Sequence, residues 1–189
     1  MSDDQSLVSR IQSGDRQAFR LLIKQYERLV AHMVGRLVSQ AEDREEICQD
    51  VFMKVYKKLD EFKFQSKLST WIATIAYRHA VNHLRKKKII VRDILDEENF
   101  TKHFLDHNDN PQEALSEKQT KQYILQMIEQ LPVQYKTVLT LYHLDGKSYM
   151  EIYEITGMPE GTVKNYLFRA RTMLKERLIN HLGKEWEMQ

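Results

Sequence analysis

Between Ser148 and Leu167 the chain runs Ser148-Tyr149-Met150-Glu151-Ile152-Tyr153-Glu154-Ile155-Thr156-Gly157-Met158-Pro159-Glu160-Gly161-Thr162-Val163-Lys164-Asn165-Tyr166-Leu167. This stretch narrows the available folds more than any other. Ser148 and Glu151 have the spacing of a capping box, which opens a helix by satisfying its first backbone N–H groups. Gly157 takes the left-handed conformation that closes one. Ile152 and Ile155, then Val163 and Leu167, place one apolar stripe along two successive helices. The spacing predicts helices over Tyr149–Thr156 and from Glu160 to about Leu182, meeting at a tight turn. Such a corner buries its stripe only against further helices, and the rest of the chain supplies them. With 6 Gly and 3 Pro in 189 residues there is too little punctuation for the many turns of an all-β fold, so an all-α fold is expected.

In the N-terminal half, Phe19, Leu22, Tyr26, Val30, Met33 and Leu37 recur at helical spacing behind the breaker Ser13-Gly14-Asp15. A second helix, about Ala41 to Leu59, carries Ile47, Val51, Val55 and Leu59 on one stripe, with Glu45, Glu46, Gln49 and Asp50 beside or opposite it. A loop, Asp60 to Leu68, follows no single period. Ser69 then serves as N-cap for a basic helix from Thr70 to about Lys88, packed through Trp71, Ile72, Ile75, Ala76, Ala80 and Leu84. Beyond Val91 acidic residues gather without a sustained stripe, although Ile94, Leu95, Phe100, Phe104 and Leu105 are apolar enough to dock or to form a short helix. Asn110-Pro111-Gln112-Glu113 marks a new helix start, running to Gln130, and another helix is expected over Pro132 to about Leu144.

Charge divides the chain in the same places. Residues 1–92 hold 18 Lys and Arg against 11 Asp and Glu, residues 93–117 hold 1 against 8, and residues 118–189 hold 10 against 8. We therefore expect two small helical domains joined by an acidic linker: an N-terminal helical bundle over 1–92, a linker over 93–110, and a C-terminal four-helix domain with a helix-turn-helix over 111–189. Cys48, the only cysteine, excludes an intramolecular disulfide and a cysteine-rich zinc site. The first residues lack the basic start and apolar run of a secretory signal, and no uncharged apolar run approaches the ~18 residues of a membrane span. A cytoplasmic protein without membrane insertion is expected.

Two constellations point to nucleic acid. At the start of the second helix of the corner, Glu160, Gly161, Thr162, Lys164 and Asn165, followed by Arg169 and Arg171, combine small groups that admit a phosphate to backbone amides with longer side chains that reach base edges in a major groove. The competing reading is an ordinary two-helix corner of a bundle. From Phe62 to Arg85, the aromatics Phe64, Trp71 and Tyr77 mix with Lys63, Lys67, Arg78, Asn82, Arg85 and Lys86, the pairing that single-stranded DNA needs for stacked bases and a held backbone. Here the alternative is a core Trp71 and a solvated basic helix end. His79/His83 and His103/His107 have i, i+4 spacing, but a pair is not a metal site, and no metal or cofactor is expected. Nor is there a phosphate-cradling loop, a nucleophile motif or a paired-carboxylate signature, so no catalysis by this chain alone is expected.

Several motifs in order resemble those of bacterial RNA polymerase sigma factors of the extracytoplasmic-function (ECF) subfamily. Asp43 to Tyr56 resembles the family's helix that docks on the clamp helices of the polymerase β′ subunit, which implies core-binding roles for Glu45, Glu46, Gln49, Asp50 and Phe52. Ser66 to Ala76 and Leu84-Arg85-Lys86 resemble its −10 element segment, which implies DNA contacts from Lys63, Phe64, Ser66, Lys67, Ser69, Thr70, Trp71, Arg78, Asn82 and Arg85. Leu131-Pro132 and Gly146 to Arg171 resemble its −35 reader, which implies contacts from Ser148, Glu160, Gly161, Thr162, Lys164, Asn165, Arg169 and Arg171. The resemblance further implies promoter DNA, core polymerase through the β′ clamp helices and the β flap, and an anti-sigma factor as partners. A stand-alone helix-turn-helix regulator, binding a palindromic duplex without polymerase, is the competing class.

Overall fold

The computed structural model describes residues 3–87, 104–105 and 117–182, and no strand occurs among them. The expected all-α architecture holds. The chain divides into two compact units, the first of Met1–Lys87 together with Tyr153–Gly157 and the second of Lys88–Ile152 and Met158–Gln189.

The first unit contains α1 (Asp3–Gln12), α2 (Arg16–Gly35), α3 (Ala41–Lys58), a 3-10 turn (Leu59–Glu61) and α4 (Leu68–Lys86). Packing among α2, α3 and α4 buries Leu22, Val30, Val34, Val51, Val55, Ile72, Ala76 and Ala80 completely. Each larger aliphatic side chain in that set contributes about 1.5–3 kcal/mol by leaving water. Sequence periodicity does not foresee α1, whose stripe is only Leu7, Val8 and Ile11. Its place is fixed by polar groups: the Tyr26 hydroxyl donates to Asp4 at 2.9 Å, and Asp15 both pairs with Arg10 at 2.7 Å and accepts from the amides of Gln17 and Ala18 as the N-cap of α2. Gly14, at φ +91°, makes the corner possible. The Arg10 guanidinium, with the Ala18 amide, holds the Asp15 carboxyl below its ordinary range.

Helix α4 begins two residues earlier than the sequence suggests. Ser69 is not its cap; Lys67 is, with no side-chain hydrogen bond, and the gain comes from burying Leu68 in the first turn. At its other end, Asp43 in the first turn of α3 receives Lys87 at 2.5 Å and His83 at 3.4 Å. One carboxylate thus complements the start of α3 and gathers the cations at the end of α4.

The second unit contains α5 (Glu117–Gln130), α6 (Val133–Leu139), a π-helical segment (Thr140–Leu144), the first half of α7 (Tyr149–Thr156), as far as Ile152, and α8 (Glu160–Leu182). The helix expected from Pro132 to Leu144 is therefore α only as far as Leu139. In the π segment, the Asp145 amide reaches back five residues to the Thr140 carbonyl at 3.0 Å. Val138, Leu139, Ile152, Val163, Leu167 and Ala170 form the core. Phe104 belongs to this core as well: it is 4% exposed and lies 4.6 Å under the guanidinium of Arg177, itself 2% exposed and bonded to Gln130 at 2.5 Å. The helix start expected at Asn110 and Pro111, and the apolar Ile94, Leu95 and Phe100, lie outside the described residues.

Candidate nucleic-acid and partner interfaces

The acidic face of α3 is presented to solvent. Ile47, Val51 and Val55 turn inward, leaving Glu45, Glu46, Gln49 and Asp50 exposed and Phe52 half-buried. Asp50 turns toward α4, where its charge opposes the desolvation that lowers the His79 pKa. The centre of the outward face also carries Met53 and Tyr56, 55% and 50% exposed, which sequence reasoning passed over. Their signal was present in the sequence: with Gln49 and Phe52 they recur at the i, i+3 and i+4 spacing of a helix-docking stripe. An apolar centre rimmed by carboxylates suits a basic, amphipathic partner helix.

Phe62 organises the second constellation. It is buried beneath the loop, with Phe64 at 4.7 Å and Trp71 at 5.1 Å between ring centroids. Phe64 stands at φ +56°, a left-handed conformation that a bulky residue adopts only at a cost, and its ring stays 41% exposed. Strain that leaves an aromatic ring facing solvent serves a ligand better than it serves the fold. Along α4, Trp71, Arg78, Asn82 and Arg85 stand at i, i+7, i+11 and i+14 and return to one face. Lys63, Lys67, Arg78, Asn82 and Arg85 are exposed, and Ser66, Ser69 and Trp71 are half-buried. The four cations make no ion pair among the described residues. Two residues of the sequence reading fall elsewhere. Thr70 is 3% exposed, its carbonyl accepting from Thr74, and Tyr77 is 7% exposed; both fall on the side of α4 that also buries Ala73 and Ala80.

In the helix-turn-helix the local expectations hold. The Ser148 amide donates to the Glu151 carboxylate at 3.0 Å, and the Glu151 amide donates back to the Ser148 hydroxyl at 3.2 Å. Gly157 sits at φ +75°. The exposed side of α8 then presents Glu160, Gly161, Lys164, Asn165, Arg169 and Arg171, with Thr162 half-buried at its edge. A Cβ at Gly161 would meet nothing within 4 Å, so the fold itself gives no reason for glycine there. Phe168, 68% exposed in the middle of this face, was missed from sequence; a lone apolar residue on a polar helix face was its only mark.

The cations of this face are held. Lys164 pairs with Glu160 at 2.6 Å, which raises its pKa, and lies 5.4 Å over the Tyr149 ring. Arg169 donates to the Tyr135 hydroxyl at 3.2 Å. Arg171 donates to His143 Nε2 at 3.0 Å and lies 5.6 Å over Tyr142, whose ring stacks on Tyr149 at 5.2 Å. Desolvation and then Arg171 keep the His143 pKa low, so its imidazole stays neutral and accepts. No described helix is long and apolar enough to cross a membrane, and no group of three metal-ligating side chains occurs among the described residues. His103 and His107 lie outside the described structure.

Residues 22–89 match the family model for Sigma-70 region 2, and residues 121–174 match that for Sigma-70, region 4. The chain is 36% identical over 181 residues to the ECF RNA polymerase sigma-E factor of Haemophilus influenzae, covering 93% of this chain and 95% of that one. It is 36% identical over 180 residues to the ECF RNA polymerase sigma-E factor of Escherichia coli strain K12, covering 93% and 94%. Similar solved structures are the sigma factor RpoE of Bartonella quintana in complex with the anti-sigma factor NepR, with a TM-score of 0.58, 23% identity and coverage of 85% and 96%. Another is CnrH in complex with the cytosolic domain of CnrY, with a TM-score of 0.57, 17% identity and coverage of 93% and 96%.

Proposed function

The chain belongs to the ECF RNA polymerase sigma factors of the sigma-70 type, and from that membership we propose how its two units divide the work of starting transcription. A sigma factor binds core RNA polymerase and directs it to promoters; the polymerase performs the chemistry, and this chain supplies none. In our reading, the domains run over 1–92 and 111–189 with a linker over 93–110. The first unit docks through Glu45, Glu46, Gln49, Asp50 and Phe52 on the β′ clamp helices, with Met53 and Tyr56 at the centre of the contact.

The −10 element is then read on an opened strand. A flipped base stacks against Phe64, backed by Phe62 and Trp71, while Lys63, Lys67, Arg78 and Arg85 follow the phosphates and Ser66, Ser69 and Asn82 supply hydrogen bonds. Thr70 acts from within, by fixing the first turn of α4. The −35 element is read as duplex. Gly161 and Thr162 let a phosphate approach the start of α8, Ser148 and Arg171 contact the backbone, and Glu160, Lys164, Asn165 and Arg169 reach base edges. Phe168 suits a thymine methyl group.

The observation that carries the reading is the joining, in one chain, of a strained aromatic loop suited to single strands with a capped helix-turn-helix whose cations are already oriented. The site of action is the cytoplasm, and an anti-sigma factor and the β flap are further partners. The test is run-off transcription by core polymerase from a promoter pool. Transcripts that depend on the added chain, with common −10 and −35 sequences, are expected. Tight binding of a palindromic duplex by the chain alone, with no effect on polymerase, would overturn it.

A further inference from the structure

Arg171, on the reading face of α8, is fixed from two directions. Its Nε and Nη2 reach His143 Nε2 at 3.0 and 2.9 Å, and its Cζ lies 5.6 Å over the Tyr142 ring. The imidazole is set edge-on to Tyr142, with 5.0 Å between ring centroids, and Tyr142 stacks on Tyr149. One ring lone pair thus receives a whole edge of the guanidinium, and the second edge, Nη1 with Nη2, is directed away from the ring. A ring nitrogen accepts only while it carries no proton, so this bond belongs to the neutral imidazole protonated at Nδ1. A proton on Nε2 removes the acceptor and sets two cations side by side.

The other charges of the neighbourhood are engaged with one another. Across the stacked rings, Lys164 of α8 pairs with Glu160 at 2.6 Å. On α6, Lys136 pairs with Glu129 at 3.1 Å. Asp145 and Lys147 follow in the connection to α7, and Lys147 meets Glu151 at 3.7 Å. The charge that acts on His143 is Arg171, and it works with desolvation to keep the proton off.

We propose that His143 is a positioning residue of the −35 reader: its unprotonated Nε2 turns the second edge of Arg171 toward a backbone phosphate, and −35 binding weakens when that nitrogen takes a proton. The proposal rests on the assignment of Arg171 to the −35 backbone. An arginine that is loose before binding gives up its rotamer freedom on meeting the phosphate, a loss of roughly twofold to tenfold in affinity. Holding it beforehand removes part of that loss. Burial first and Arg171 second push the imidazole below its ordinary 6.5, so the weakening sets in on the acid side of that value, where carboxylates still keep their charge.

The experiment measures binding of holoenzyme, assembled from the full chain and core polymerase, to promoter DNA with an intact or a scrambled −35 element between about pH 8 and about pH 5.5. His143→Gln keeps an acceptor that does not titrate, and His143→Ala removes it; circular dichroism checks both folds. Near pH 8 the glutamine variant is expected within about twofold of the parent and the alanine variant about threefold weaker. In acid the parent is expected to fall to the level of the alanine variant, while the glutamine variant does not. Taking ratios to the glutamine variant cancels the pH response of polymerase itself. With Arg171→Ala in place, all three are expected to bind alike.

A second readout needs no DNA. Ring nitrogen shifts of His143 in the free chain are expected to show the Nδ1–H tautomer and a midpoint below 6.5 that rises in Arg171→Ala. An unmoved midpoint, or parallel pH profiles for parent and glutamine variant, would overturn the proposal. So would tighter binding by the parent in acid, which would mean that the imidazolium meets the phosphate itself. If the parent does not distinguish the intact −35 element from the scrambled one at any pH, the functional reading falls and the proposal with it.

Discussion

On the face built from α4 and its leading loop, Lys63, Lys67, Arg78 and Arg85 extend into solvent without an ion pair among the described residues, whereas on α8 Lys164, Arg169 and Arg171 each lean on a carboxylate, a phenol or an imidazole. The difference suits the two targets proposed for these faces. A single strand is flexible and adapts to long side chains that stay free, and its specificity comes from a base in a fixed aromatic seat. Duplex is stiff, so a cation that must meet a given phosphate or base edge gains by having lost its rotamer freedom beforehand.

The largest test of this contrast is Phe64→Ala. Loss of a stacked base costs about 1–3 kcal/mol, roughly tenfold or more in promoter opening, followed by permanganate reactivity of unpaired thymines. Binding of the holoenzyme to the −35 duplex is expected to remain. If −35 binding falls equally, the division between the faces breaks. Next, Arg171→Ala is expected to weaken −35-dependent binding by about 1–2 kcal/mol and to lower its salt slope by about 0.9, while Tyr142→Ala, which removes the ring beneath Arg171 and leaves its charge and its bond to His143, costs about threefold and leaves the slope intact. Equal slopes in both variants would mean that the ring does not orient the cation.

Lys63→Ala and Lys67→Ala are each expected to cost only a few-fold on single-stranded −10 DNA, with a slope change of about 0.7 per phosphate. Gly161→Ala sharpens the contrast from the side of stability. It is expected to stabilise the chain by up to about 1 kcal/mol against denaturant, because helix is gained and no atom is met, yet to weaken −35 binding.

The smallest effect is in Asp43→Asn, away from both faces. Lys87 first, and the charge of His83, hold the Asp43 carboxyl below its ordinary value of 3.8. Its folded form is therefore favoured fully above that value and loses the advantage as pH falls through the lowered one. The melting temperatures of parent and variant are expected to differ at neutral pH and to converge in acid. A constant difference down to the acid limit would rule out the pair as its source.

Where a local signal and the core agree, the sequence was sufficient. The capping box at Ser148 and Glu151, Gly157, and the stripes of α3 and α8 each mark an element that the structure contains. Legibility failed where a partner decides. The three apolar residues of α1 mean little without α2 beneath them, and the start of α4 follows the burial of Leu68, not the capping preference of Ser69. Tyr77 and Thr70 are buried because they share the packed side of α4, which their polar groups disguise in the sequence. Phe168 and Met53 were hidden for the opposite reason: an exposed apolar residue breaks the pattern that periodicity rewards. Phe104, expected only as a residue able to dock, owes its burial to a cation 73 positions away.

The π segment at Thr140–Leu144 is what remains when a helix holds one residue more than its α register can use. Removing one residue there would restore the α register and change the face on which the remaining residues of the segment stand, beside Arg171. Chain length at this point thus sets which side chains stand beside Arg171, and with them the shape of the proposed −35 reader.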